Sequence, residues 1–528
     1  MLLSLSLYTT RKRGGIVILY RVSDKLINSL YANIPLDQQK RAILLYGAEL
    51  TLSTFFSSCS IITISFLLGD IRIGLVFLGL FICTRLFVVE GLLSNQVFDN
   101  VDEQTICDFH TLQECGYLLP SKIQFIEHPL TAFSKYKLER SIGHLILQIT
   151  RNCNLRCKYC VYSETKNLMQ RHHSSEVMTI DVAKRALLFY RNHVIDTDTV
   201  VIGFYGGEPL LEFKLIRQIV DISETLFNGK KILYSITTNA TLLTDEVIDY
   251  LSKRNFHVVF SVDGPESIHD RNRLFANGTG SFRKVMQNIE KYREKKAEGN
   301  GNTTINTVID PHLQYQQMAS LLETPFLKEI EVTASPIEQD GVQLPISSEF
   351  TKEYNYQMFL SLVSFFRSSA PTYANGFLRK EITGINQGND KIQKTDVAQI
   401  TSPGGPCIPG KPRLFVDCFG NMYPCEKTNE NDVMKIGNIY SGFDYSKIYD
   451  LMNIGKLSAE KCKDCWAFSL CNICAKHADS GNCLSGEKKC EYCDASKNNA
   501  YTMILHKILT YENSEHKREM RRQGVYVT

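Results

Sequence analysis

The 528-residue chain carries almost no excess of charge: 59 Lys and Arg against 56 Asp and Glu leave +3 at pH 7. Without a broad positive field a dedicated nucleic-acid protein is disfavoured, and a small molecule or another protein becomes the expected partner. Tryptophan is all but missing, with Trp466 the single copy. No repeat with a period of about 20–50 residues and no low-complexity tract stands out, so the chain is not organised as a repeat array. Disorder as the main theme is excluded by composition, since 44% of residues are apolar and 22% charged. At this length about two to four domains are expected.

Cysteine is what the sequence has in excess. Of 17 copies, ten lie between Cys407 and Cys493, three are Cys153, Cys157 and Cys160, and Cys59, Cys83, Cys107 and Cys115 are scattered upstream. A secreted disulfide scaffold would be short and would begin with a cleavable signal. Clustered thiolate ligands for metal, in a reducing cytosol, are the expectation instead.

Two apolar runs mark the N-terminal region. Leu50 to Gly69 is a stretch of 20 uncharged, mostly apolar residues, and Ile73 to Val89 follows after Asp70, Ile71 and Arg72, interrupted only by Arg85. The first is long enough for one bilayer crossing, and the pair reads as a transmembrane helical hairpin. A signal peptide is not expected, because the run begins far from Met1 and no small-residue cleavage pattern follows it. Arg11, Lys12, Arg13, Arg21, Lys25, Lys40 and Arg41 precede the first run and would hold the N-terminus and the bulk of the chain on the cytoplasmic side. The alternative is a buried globular helix pair, suggested by Ser57, Ser58, Ser60, Glu49 and Arg85. Over roughly the first 86 residues the amphipathic lead Val22 to Tyr31, the stretch LDQQKRAILLYGAEL and the hairpin ending in Arg85 resemble the start of AgrB-type membrane peptidases. That family's catalytic His and Cys would lie just beyond, where VVEGLLSNQVFDN supplies neither, so no peptidase activity is expected.

A regular alternation begins after residue 140. Strand-like runs occur at 144–150, 199–207, 232–239, 257–264, 303–310 and 329–336, separated by helix-period segments such as DVAKRALLFYRN and FKLIRQIVDISETLF. Six β/α units imply a parallel sheet, either doubly wound or curled as a partial barrel. In both, chemistry belongs at the C-terminal ends of the strands.

Just past the first of these strands stand Cys153, Cys157 and Cys160, in TRNCNLRCKYC. Three thiolates in such a loop can hold three irons of a [4Fe-4S] cluster and leave the fourth open. A structural zinc would want a fourth ligand, for which only His172 and His173 are within easy local reach. The CxxxCxxC spacing resembles the radical S-adenosylmethionine (SAM) superfamily, in which the open iron chelates SAM and an electron from the cluster cleaves it to a 5′-deoxyadenosyl radical. The resemblance implies that Gly206, Gly207, Glu208 and Pro209, like the family's GGEP motif, receive the SAM amino group. It implies in the same way that Asn239, at the third strand end, and Ser261 and Arg273, within SVDG and HDxxR, serve the cofactor; Ser and Arg suit SAM carboxylate or ribose. Asp263 and His269 read equally well as turn caps.

The C-terminal cysteines run Cys407, twelve residues, Gly420, four residues, Cys425; then Cys462, Cys465, Cys471 and Cys474; then Cys483, Cys490 and Cys493. This resembles the SPASM extension, which binds two auxiliary [4Fe-4S] clusters in many radical SAM enzymes. The likeness implies a first cluster on Cys407, Cys425 and Cys474, with Cys418 a possible fourth ligand. A second would use Cys462, Cys465, Cys471 and one of Cys490 or Cys493. The spacing Cys471 to Cys474 is two residues where three is usual, and Cys483 competes for the final position. A zinc ribbon is the alternative. Trp466 is expected to shield a cluster, and Glu426 to act as a base, because sulfatase-maturing relatives carry an acidic residue there.

The expected fold is therefore α/β, a partial (β/α)6 barrel of the radical SAM type, with a cysteine-rich C-terminal SPASM domain and the N-terminal hairpin. Its expected divisions are an AgrB-like segment 1–96, a small leader-peptide-binding remnant 97–140, a radical SAM core 141–340, a helical connection 341–400, a SPASM domain 401–500, and a C-terminal helix with a basic tail 501–528. The implied function is maturation of a ribosomally made precursor peptide by hydrogen abstraction and thioether crosslinking, fed by a reductant such as flavodoxin or ferredoxin. Formylglycine formation, as in anaerobic sulfatase maturases, and a non-catalytic AgrB-like membrane protein with a metal-binding domain are the alternatives.

Overall fold

The computed structural model describes residues 123–160, 162, 172–296, 303–310, 320–327, 330–339, 342–343, 347–368, 399–404 and 407–522. The expected transmembrane hairpin and most of the segment 97–140 lie outside these residues. Among the described residues no helix is long and apolar enough to cross a membrane.

Six strands carry the β/α alternation: β1 (Leu145–Thr150), β2 (Thr199–Gly206), β3 (Lys231–Thr238), β4 (His257–Ser261), β5 (Thr303–Ile309) and β6 (Glu331–Pro336). Each pairs in parallel with the next. A doubly wound sheet would reverse its strand order once; this sequential order is the winding of a partial barrel. β1 is buried at every position, including Gln148 and Thr150, as a strand covered on both faces must be.

The helices follow from their periodicity and caps. In α1 (Ile180–Asn192) Ala183, Ala186, Leu187 and Tyr190 form the buried face, and the Thr179 side chain accepts the Val182 N–H at the N-terminus. In α2 (Phe213–Leu226) Ile216, Ile219, Val220 and Ser223 do the same. Thr244 caps α3 (Asp245–Lys253). Two helices, α4 (Glu266–Asn272) and α5 (Phe282–Lys296), join β4 to β5.

The cysteine-rich region does more than follow this core. After α6 (Ser348–Ser368), strand β7 (Leu414–Val416) pairs in parallel with the free side of β1. An antiparallel run of β8 (Asn421–Tyr423), β9 (Gly437–Asn438) and β10 (Gly442–Phe443) continues outward. One ten-stranded sheet results, ordered β10-β9-β8-β7-β1-β2-β3-β4-β5-β6. Ahead of β1, Phe125–Ile126 pairs with Ile400–Thr401, and the Asn453 side chain accepts the His128 N–H at 2.8 Å.

Phe415 is the centre of the junction, fully buried, opposite Ile146 on one side and Tyr423 on the other. Replacing it with Ala should cost about 3–5 kcal/mol, read as a lower midpoint in anaerobic denaturation. A loss under about 1 kcal/mol would mean that β7 is not part of the core in solution.

Candidate functional site

The cysteine loop leaves the sheet at the C-terminal end of β1 and is held from two directions. Arg156 N–H donates to the Leu274 carbonyl at 2.7 Å, Lys158 N–H to that of Asn272 at 3.1 Å, and Ala276 N–H to that of Asn154 at 3.1 Å. The loop is thereby laid against the chain that follows α4. From β3, Asn239 Nδ2 donates to Asn154 Oδ1 at 2.9 Å and lies 3.8 Å from Cys153 Sγ. Cys153, Cys157 and Cys160 are all free thiols, Cys157 buried and the others half-buried. Burial above all, with Glu208 as a further cause for Cys153, pushes the Cys153 and Cys157 thiols up to about 12.

Thiols this high need a cation to become thiolates, which a metal centre supplies. Donors already face two of the sulfurs: Leu155 N–H at 3.4 Å from Cys153 Sγ, and Arg273 Nη1 at 3.9 Å from Cys157 Sγ. Three cysteines on one loop with such donors fit the three-thiolate side of a [4Fe-4S] cluster. Among the described residues no three His, Cys, Asp or Glu side chains are gathered tightly enough to hold a single metal ion.

The GGEP turn is built around the same loop. Gly206 has a φ of +142°, and a Cβ there would sit 2.3 Å from the Thr150 carbonyl oxygen; at Gly207 it would sit 2.1 Å from that of Asn152. Only glycine allows this approach, through which Gly207 and Glu208 N–H donate to the Thr150 and Asn152 carbonyls at 2.8 Å each. Glu208 is fully buried, and its carboxylate accepts from Leu210 N–H at 3.0 Å, Thr238 Oγ1 at 2.8 Å and Asn239 N–H at 2.7 Å. Burial raises this carboxyl to about 7, against the pull of those three donors. The side chain therefore ties the end of β2 to the end of β3. Pro209 opens the short turn Pro209–Glu212 and is buried.

At the end of β4 Ser261, Asp263, His269 and Arg273 are all buried, and hydrogen bonds join the last three. Arg273 Nε donates to Asp263 Oδ2 at 2.9 Å, its guanidinium lies 5.5 Å from the Tyr159 ring centroid, and the Tyr159 hydroxyl also donates to Asp263. Asp263 Oδ1 accepts the Val308 N–H at 3.1 Å, reaching β5. His269 accepts the Asp263 N–H at Nδ1 and meets Ser281 Oγ with Nε2 at 3.0 Å. Burial, followed by the Arg273 charge, lowers its imidazole to about 4, so the ring is neutral. His269 therefore caps the turn, as one of the two sequence readings has it.

The C-terminal cysteines fall into groups that only partly follow their spacing. Cys407 is exposed by area, yet burial of its sulfur and then the sulfurs of Cys425 and Cys474 push it up to about 11. Cys418 stands apart: it is buried, and its Sγ donates to the Gln148 carbonyl at 3.2 Å. Cys493 is raised to about 11 by burial, then by Cys490, with Cys462 also contributing. Cys471 Sγ accepts from Ser496 Oγ at 3.6 Å, Cys465 N–H donates to the Cys462 carbonyl at 3.1 Å, and Cys483 is exposed. Trp466 is 60% exposed, on the turn after Cys465. Glu426 pairs with Arg413 through Oε1, while Oε2 is buried without a hydrogen-bond partner.

Sequence reasoning missed a buried polar network on β1. Gln148 Nε2 donates to Glu430 Oε1 at 2.6 Å and to the Tyr162 hydroxyl at 2.9 Å, and its Oε1 accepts the Cys418 N–H at 3.2 Å. Arg151 Nη2 meets Glu430 Oε2 at 2.7 Å, with side chains 10% and 1% exposed. Glu430 thus links the loop beyond Cys425 to the residue two before Cys153. A polar Gln in the middle of an otherwise apolar strand was the available signal.

A family model described as the Radical SAM superfamily matches residues 147–324, and one described as Accessory gene regulator B matches residues 23–89, which lie outside the described residues. A cysteine-type anaerobic sulfatase-maturating enzyme of Clostridium novyi (strain NT) is 26% identical over 374 residues, covering 68% of this chain and 94% of the relative. The radical SAM cyclopropyl synthase TigE of Paramaledivibacter caminithermalis is 28% identical over 209 residues, 37% of this chain and 43% of the relative. A solved structure of native anSMEcpe with bound AdoMet and Cp18Cys peptide has a TM-score of 0.52 at 21% identity, covering 71% of this chain and 99% of that one. At that identity the likeness is one of fold.

Removing one partner of a buried ion pair leaves an uncompensated charge. Glu430→Gln should therefore cost about 3–5 kcal/mol in anaerobic denaturation, and a change within about 0.5 kcal/mol would show the pair to be solvated. His269 sets a pH dependence. The unfolded ring takes up its proton near 6.5 and the folded one only near 4, so the unfolded chain binds more protons in between and stability is lost as pH falls through that window. His269→Gln should flatten the slope between pH 6.5 and 4 by at most about 1.4 kcal/mol per pH unit, and parallel slopes would contradict the assignment.

Proposed function

This chain is an enzyme of the radical SAM superfamily, and from that premise we propose that it matures a ribosomally made precursor peptide by forming an intramolecular thioether. A [4Fe-4S] cluster and SAM, when bound, supply hydrogen-atom abstraction from an unactivated carbon. Cys153, Cys157 and Cys160 would hold that cluster. The backbone of Gly206, Gly207 and Glu208 receives the SAM amino group beside Pro209, because the Glu208 carboxylate is already taken by three protein donors. Asn239, Ser261 and Arg273 orient the rest of the cofactor, Arg273 being kept in place by Asp263.

The observation that carries the thioether reading is the position of Cys418. Its thiol donates to the β1 backbone, so that Cys407, Cys425 and Cys474, whose sulfurs lie near enough to raise the Cys407 thiol, would hold the first auxiliary cluster with a position for one further thiolate. A cysteine of the peptide would fill that position. Glu426, next to Cys425, offers the buried Oε2 as proton acceptor. Cys462, Cys465 and Cys471, with Cys490 or Cys493, hold the second auxiliary cluster. Crosslinking exchanges one C–H and one S–H bond for a C–S bond, so the product is lighter by two hydrogens. A flavodoxin or ferredoxin supplies reducing electrons, and residues 50–89 anchor the catalytic part at the cytoplasmic face of a membrane.

A second reading, formylglycine formation, is favoured by the Clostridium novyi relative, 94% of which is covered. Mass spectrometry of cysteine-containing peptides incubated anaerobically with the reconstituted full chain, SAM and dithionite separates the two. Loss of two hydrogens without an aldehyde, together with 5′-deoxyadenosine, supports the thioether; a peptide aldehyde sinks it. Iron should number about twelve per chain, falling to about eight when Cys153, Cys157 and Cys160 are all Ala, at four per cluster.

A further inference from the structure

Lys489 is 1% exposed and ranks among the largest fully buried side chains described. It lies on the short helix Gly486–Cys490, whose start is capped by Ser485 accepting the Lys488 N–H. Its Nζ donates to Ser458 Oγ at 2.6 Å and to Cys462 Sγ at 3.3 Å. Ser458 Oγ is itself 3.3 Å from Cys462 Sγ, so ammonium, hydroxyl and sulfur form a closed triangle. The neighbouring lysines Lys463 and Lys488 point their charges at Glu460 and Glu491. Lys489 instead turns its charge toward sulfur, and Cys493 also feels it.

A buried ammonium costs several kcal/mol unless a negative charge compensates it. The sulfur it reaches is Cys462 Sγ, which would carry negative charge when it ligates iron. In that state a fixed positive charge and an N–H···S hydrogen bond on one ligand stabilise the reduced, more negative cluster over the oxidised one. We propose that Lys489 sets the reduction potential of the second auxiliary cluster, holding it more positive than the same cysteines would give alone. The inference rests on the reading that Cys462 is a ligand of that cluster. It gives the centre a specific place in the reaction: an acceptor for the electron left over when the peptide radical closes its bond.

The test is a potentiometric titration followed by electron paramagnetic resonance, on the anaerobically reconstituted full chain. Lys489→Met and Lys489→Gln are measured in parallel, so that loss of folding in one leaves the other. Each should keep the wild-type iron content while one cluster moves to a more negative potential. The expected size is at least about a tenfold drop in the reduced-to-oxidised ratio at fixed potential, about 59 mV for one electron. Lys489→Arg, which keeps the charge, should stay near the wild-type potential. Unchanged potentials in the neutral variants, a loss of about four irons, or an arginine variant that shifts as far as the neutral ones would each overturn the proposal. Cys462→Ala separates the two levels: wild-type iron content in that variant removes Cys462 as a ligand, and with it the reading on which the tuning role stands.

Discussion

Two backbone hydrogen bonds, from Gly207 and Glu208 N–H to the carbonyls of Thr150 and Asn152, decide where the cysteine loop leaves the sheet. They exist because two glycines let the end of β2 touch the exit of β1 with no room for a Cβ. Glu208 carries the constraint to β3, Asn239 carries it back to Cys153 and Asn154, and Asp263 with Arg273 closes the circuit from β4 and β5. Every strand end from β1 to β5 is thus tied to the loop or to a residue that touches it. Such a chain of satisfied contacts holds a site rigid before any cofactor arrives.

The C-terminal cysteines share that rigidity because they are not hung on a separate body. β7 extends the sheet at β1, and the Gln148, Arg151 and Glu430 network joins the loop after Cys425 to the approach of Cys153 from inside the core. Buried ions of this kind contribute little net stability but punish misplacement, since a displaced partner leaves a charge without compensation. A β-ladder and a buried ion pair thus both fix the loop after Cys425 relative to the approach of Cys153.

The strands and helices of the β/α core were legible in the chain to within a few residues, since long apolar runs and clear 3.6-residue patterns leave little ambiguity. The two short cysteine spacings at 153–160 and the GGEP turn were equally legible, being local. β7 was not: three residues, Leu414 to Val416, carry no alternation long enough to read, and their partner is about 270 residues away. The motif marked Glu208 in the sequence, but that its carboxylate accepts from three protein donors is visible only in the fold. Trp466 adjoins Cys465 in the chain, and its 60% exposure is likewise set by the fold and not by that adjacency.

Sequence alone determined the elements whose cause lies within one stretch of chain: the strand and helix periods, the glycine turn, and the cysteine loop with its capacity for iron. Tertiary structure decided which cysteines come together, that the Cys418 thiol donates to the Gln148 carbonyl of β1, and that Lys489 meets Cys462. Those outcomes depend on side chains brought from distant positions into a low-dielectric interior, where burial and fixed charge govern their chemistry. Spacing along the chain does not encode that environment.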